Sequence, residues 1–158
     1  MGSTEAKTVA DFLVADFEQE TQTTLRVLEA VPQGHLDYRP DAKSKTGLGL
    51  VRHIALEDAW LLNCIANGAF TPPLDDSDAC GIMSPVDAIA RYKEDVPVAL
   101  NRVRAMSGET LASTLNLFDM MKAPGVNFLA MALKHSVHHR GQLSTYLRAM
   151  GGKVPGIY

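Results

Sequence analysis

Apolar residues recur along most of this chain at three- and four-residue spacing, the period of a helix that buries one face. From about Thr8 to Val31 the positions Val9, Phe12, Leu13, Phe17, Leu25, Leu28 and Val31 keep that period, and Pro32 with Gly34 ends it. A polar loop follows, Gln33 to Thr46. Thr46 is placed to cap a second helix over Leu48 to Asn67, with Gly68 just past its end. A loop rich in Pro and Asp then runs through Cys80-Gly81. Ser84-Pro85 supplies the N-cap and first position of a third helix reaching about Met106, where Ser107-Gly108 stops it; Pro97 inside it predicts a kink. The stretch Leu111 to Pro124 loses the helical period and predicts a short extended piece around Leu115 to Phe118. A fourth helix is expected from about Val126 to Met150, ended by Gly151-Gly152, and the tail Val154 to Tyr158 cannot continue it. Four helices of about 20 residues with few strand signals predict an all-α, up-down-type four-helix bundle, with residues 1–158 forming one domain.

Composition narrows the function classes. The chain has 158 residues, 46% hydrophobic and 21% charged, as in a globular protein with a substantial core. Its formal net charge of −3 and scattered basic residues argue against a nucleic-acid partner. No apolar run of about 18 residues is present, so no membrane span is expected. The N-terminus lacks the apolar segment of a signal peptide, and although Gly2 fits a myristoylation signal, Ala6 does not. Cys64 and Cys80 lie far apart and form no CxxC pair, which reads as reduced thiols in a cytoplasmic protein.

The chemistry concentrates in Lys134-His135-Ser136-Val137-His138-His139-Arg140-Gly141-Gln142-Leu143, which holds three of the chain's five histidines. At about 100° per residue, His135 and His139 share a face with Phe128, Ala132, Gln142 and Tyr146, whereas His138 falls at the edge of that stripe. Burying two imidazoles costs free energy unless each finds a partner, and a shared metal ion meets that need. A hydrogen-bonded pair of core histidines, with no metal, is the competing account. His53 is the candidate for a third ligand, on a face with Leu50, Leu56, Glu57, Trp60 and Cys64. Glu57 stands at i+4 from His53, as a fourth ligand, as a carboxylate that orients His53 or moves a proton, or as a solvated residue at the bundle end. Gln142 is placed to hydrogen-bond a ligand or simply to pack. Gly141 is expected to admit a close helix, and His35 to lie on the surface.

His53 early in the second helix and His135-x-x-x-His139 followed by Arg140-Gly141-Gln142-Leu143 resemble the DinB-like (DinB/YfiT) family. Glu20-Thr21-Gln22-Thr23-Thr24-Leu25, Leu36-Asp37-Tyr38-Arg39-Pro40 and the ending Leu147 to Pro155 are similar to it as well, so the resemblance spans nearly the whole chain. It implies a four-helix bundle with a divalent transition metal, nickel or zinc, held by His53, His135 and His139. It also implies a homodimer, and relatives that are thiol S-transferases using bacillithiol, mycothiol or glutathione or a mycothiol-dependent isomerase. Leu62 and Val137, expected to face outward, would support the dimer.

Three imidazole ligands leave a metal with open positions, the arrangement of a catalytic rather than a closed structural site. The expected activity is a metal-dependent thiol S-transferase, or a related hydrolase, acting on a small electrophile, with Glu57 and Gln142 as its candidate catalytic residues. The alternative is a non-catalytic metal-binding or stress-response protein whose metal stabilises the bundle. Three imidazoles suit zinc, nickel, copper and iron alike. The loops Gln33 to Thr46 and Gly68 to Gly81 are expected to contact the substrate. Because histidine must be neutral to bind metal, affinity is expected to fall below about pH 6.5.

Overall fold

The computed structural model describes residues 1–157, so Tyr158 of the tail lies outside the described residues. Four long helices make up the body: α1 (Ser3–Glu29), α2 (Gly47–Asn67), α3 (Pro85–Arg104) and α5 (Gly125–Ala149). Between α3 and α5 come a short helix, α4 (Gly108–Ala112), and an antiparallel hairpin of β1 (Thr114–Leu117) and β2 (Met121–Pro124), paired with Leu115 opposite Ala123. The extended piece read from the sequence is the first arm of this hairpin.

Local signals set the boundaries. The Thr46 hydroxyl accepts the Gly49 N–H, and Gly68 closes α2 with a left-handed φ of 72°. Ser84 caps α3 through the Asp87 N–H, with Pro85 at the first helical position. Ser107 ends nothing on its own: it caps α4 by accepting the Thr110 N–H, so the expected stop is also a new start. Helix α3 continues unbroken through Pro97, which lies on its exposed face.

Each of α1 and α2 packs on both α3 and α5. Contacts along the axes give the directions. Glu20 meets Arg140 and Ala30 lies by Gly152, so α1 and α5 run parallel. Asp58 meets Tyr92 and Arg102 meets Asn67, so α2 and α3 run parallel to each other. Lys7 reaches the Arg104 carbonyl while Lys93 pairs with Glu29, which sets α1 against α3; Gly47 lies by Met150 and Asp58 by Ser136, which sets α2 against α5. The bundle is therefore up, down, down, up.

The buried side of α1 differs from the sequence expectation. Ala6, Ala10, Val14, Phe17, Thr21, Thr24 and Leu28 point inward, whereas Val9 is 38% and Phe12 70% exposed. The apolar positions at 9 and 12 fit a helical period but not the face that α3 and α5 cover. Leu62, expected outward, is fully buried and supplies no dimer surface, whereas Val137 is half-buried against the core. Gly141 is exposed and a methyl group there would meet nothing, so it serves no close helix contact.

Candidate metal centre

Helices α2 and α5 run antiparallel, and this brings His53 opposite His135 and His139. One nitrogen from each ring lies within 4.8 Å of the other two, and among the described residues this is the only such group of His, Cys, Asp or Glu. His53 Nε2 and His139 Nε2 approach to 3.3 Å. Two ligands on a tetrahedral zinc-like ion, each about 2.0–2.1 Å from it, stand about 3.3–3.4 Å apart. The other ring nitrogens of these two residues face outward partners. His139 Nδ1 lies 3.0 Å from Gln142 Oε1, which can only accept, so Nδ1 carries the hydrogen and Nε2 keeps its lone pair. His53 Nδ1 lies 3.4 Å from Asp76 Oδ2 and 3.9 Å from Glu57 Oε1, which favours the same tautomer. His135 Nδ1 is buried with no hydrogen-bond partner. Three imidazole nitrogens within reach of one another, two of them with the second ring nitrogen turned to an outside acceptor, form a donor set that fits a metal.

The rings are held neutral. Burial lowers His53 to about 4, with nearby His139 and Lys45 lowering it further against the pull of Asp76. Burial and the neighbouring imidazoles likewise bring His135 to about 4. His139 is also lowered, first by burial, with Gln142 opposing. The onset of proton competition for a metal therefore lies below the expected 6.5, because desolvation disfavours each imidazolium before any metal arrives.

Glu57 has a side chain only 13% exposed, so it is not a solvated end residue. It sits on the Nδ1 side of His53 and is absent from the three-nitrogen cluster. Burial, then Asp76, raises its carboxyl to about 7, with Lys45 opposing. Both flanking loops reach this region. Lys45 of the first loop pairs at 2.5 Å with Asp76 of the second, and the Tyr146 hydroxyl donates to the Lys45 carbonyl at 3.2 Å. Arg52, 5% exposed, anchors the second loop by donating to the Ile82 carbonyl at 2.6 Å and pairing with Asp78. His138 is exposed beside His139, and His35 lies in an exposed turn with φ 60°, both as expected.

Sequence reasoning missed Asp76 and Lys45, which lie in loops without a period. It also missed a buried polar cluster under the histidines: Asp58 Oδ2 accepts from the Tyr92 hydroxyl at 2.7 Å and the Ser136 hydroxyl at 2.6 Å. Arg140, 3% exposed, pairs with Glu20 nearby. A signal for Asp58 and Arg140 was present. Asp58 is flanked at i−4, i+3 and i+4 by Ile54, Leu61 and Leu62, and Arg140 at i+3 and i+7 by Leu143 and Leu147, so both polar residues sit on apolar faces.

A four-helix bundle whose facing helices bring three neutral histidines together, in a site able to hold a metal ion, is the class that fold and site define. The chain belongs to the DinB family, whose model matches residues 3–158. It is 25% identical over 141 residues to the uncharacterized protein YjoA of Bacillus subtilis, covering 88% of this chain and 89% of that one. Among solved structures it is similar to a DinB-like protein of Bacillus cereus, with a TM-score of 0.76 at 20% identity over 92% of this chain and 95% of that chain. The mycothiol-dependent maleylpyruvate isomerase shares the fold at a TM-score of 0.63 and 16% identity; this chain covers 61% of that protein's length and 90% of its own. Among the described residues no helix is long and apolar enough to cross a membrane.

Proposed function

We propose that His53, His135 and His139 hold one divalent transition metal, zinc or nickel, and that the site transfers a low-molecular-weight thiol to a small electrophile. The observation that carries this is the 3.3 Å approach of two imidazole Nε2 atoms whose Nδ1 atoms are turned to outside partners. A metal held by three imidazoles supplies a Lewis acid with open positions, able to lower the pKa of a bound thiol or water. Gln142 fixes the His139 ring by accepting its Nδ1 hydrogen, and Asp76 does the same for His53. Glu57, raised to about 7, can hold or release a proton near neutral pH and serves as the acid–base group beside His53. Lys45 and Asp76 tie the two loops together beside the site.

Support for a thiol cosubstrate is the shared fold of the mycothiol-dependent isomerase. A purely structural metal would call for a fourth protein ligand, and Glu57 stands 3.9 Å from the Nδ1 of His53 and outside the three-nitrogen group. The test is a screen of zinc- and nickel-loaded protein against bacillithiol, mycothiol, glutathione and coenzyme A with a common electrophile, using His139→Ala as the control. Turnover lost in His139→Ala is the expected result. Strong metal uptake without turnover for any thiol would leave a structural metal and reject catalysis.

A further inference from the structure

A cavity of about 340 Å³ opens beside His135, on the side of the cluster toward the hairpin. Helix α2 contributes Trp60 and Leu61, α5 contributes Met131, and the hairpin contributes Leu117, Phe118 and Met120. The polar residues on its lining are His135 and Glu57, both belonging to the candidate centre. No lysine or arginine lines it; Lys45, the nearest cation placed at the cluster, is paired with Asp76.

The hairpin turn is built to present a ring there. Met120 N–H closes the turn on the Leu117 carbonyl at 2.9 Å, and the two central residues, Phe118 and Asp119, have φ of 49° and 59°. This left-handed geometry favours Gly or Asn, and Asp119 tolerates it through reciprocal hydrogen bonds with the Asn116 side chain. A phenylalanine there is a genuine outlier. Its ring lies 6.4 Å from Phe70, which in turn contacts Trp60 and Phe128, so a continuous aromatic group runs from the core to the cavity rim. Strain retained in a bulky residue at a cavity points to use rather than to folding.

We infer that this cavity binds the neutral, aromatic or branched hydrocarbon part of the substrate, with Phe118, Met120 and Met131 setting that preference while the reactive atom faces the histidines. The inference gives the substrate class for the site proposed above and rests on that reading for its catalytic meaning. The binding itself needs neither metal nor thiol. The volume fits a single substituted ring, and an apolar wall without a cation disfavours a carboxylate placed in it.

Trp60 is the single tryptophan and lines this cavity and a second one beside Arg91 and Asp95, so its emission reports binding and the hairpin variants assign that binding to this cavity. The experiment titrates the full chain, chelator-treated and zinc-loaded, with 4-nitrotoluene and with 4-nitrobenzoate, following quenching of Trp60. Saturable quenching by the neutral ligand in both forms is expected, with the carboxylate at least about tenfold weaker in the chelator-treated form. Phe118→Gly should weaken 4-nitrotoluene about tenfold while the melting temperature stays level or rises, because glycine suits the turn. Met120→Glu, at a 75% exposed position, should weaken it without unfolding the protein. Unsaturable quenching, equal affinity of the chelator-treated form for the two ligands, or unchanged binding in Phe118→Gly would each overturn the inference. If metal uptake and turnover fail while the titration saturates and responds to Phe118→Gly, the metal reading falls and the apolar site stands.

Discussion

Replacing Asp58 with asparagine should make the protein progressively more stable, relative to the parent, as pH rises. Asp58 is 1% exposed, and both hydroxyls that reach it, from Tyr92 and Ser136, go to the same oxygen. An asparagine with its amide oxygen in that place keeps both hydrogen bonds and removes the titrating group. Burial raises the Asp58 carboxyl from 3.8 to about 6, with the Ser136 and Tyr92 hydroxyls and Arg140 opposing. The folded chain thus keeps the proton more tightly than the unfolded chain. The stability this confers is fully present below about 3.8 and is lost as pH rises through about 6, a change of ~3 kcal/mol. The amide introduced by Asp58→Asn cannot titrate, so the variant has no such loss. Urea unfolding of chelator-treated protein, followed by Trp60 emission and circular dichroism, measures the difference at about pH 4 and about pH 8. With a slope of ~1–3 kcal/mol per molar urea, the variant's midpoint should gain roughly 1–3 M on the parent between those conditions. Parallel pH profiles would refute the idea that the bundle carries a buried, costly carboxylate.

Three other outcomes follow from the same contacts. Gln142→Leu removes the acceptor that orients His139 and should weaken zinc binding about 10- to 100-fold in a competition titration, with Gln142→Glu largely restoring it. Zinc affinity should hold nearly level from about pH 8 down toward about pH 5 and fall steeply as His53 and His135 take protons near 4; a decline centred at 6.5 would show imidazoles unperturbed by burial. Gly108→Ala drives a methyl group into the Ser3 carbonyl where α4 crosses α1, and should cost about 1–3 kcal/mol in denaturant unfolding, against little effect for Gly141→Ala, where the space is open.

The parts of the fold carried by local chemistry were legible in the sequence. Thr46, Gly68, Ser84-Pro85 and Gly151 fix helix ends within a residue or two because capping needs only neighbouring groups. The inward direction of His53, His135 and His139 was legible because each shares a stripe with apolar residues. What escaped depends on partners distant in sequence. Phe12 and Val9 look like core by period, yet Thr21 and Thr24 take the buried face, since apolar periodicity does not say which stripe a neighbour will cover. Asp58 meets Tyr92, 34 residues on, and Ser136, 78 residues on, and no local pattern announces either pairing. Asp76 and Lys45 reach the site only through the folding of two aperiodic loops. The cavity beside His135 was hidden for the same reason: its far wall is a hairpin whose turn residue, Phe118, defies the usual preference for glycine.

The proposed metal ion sits among His53, His135 and His139. Anomalous diffraction from crystals of zinc-loaded protein tests this placement most directly. The expected result is one peak per chain within about 2.0–2.1 Å of a nitrogen from each ring, absent in His53→Ala and His139→Ala. A peak at other residues, or the same peak persisting in both variants, would contradict it.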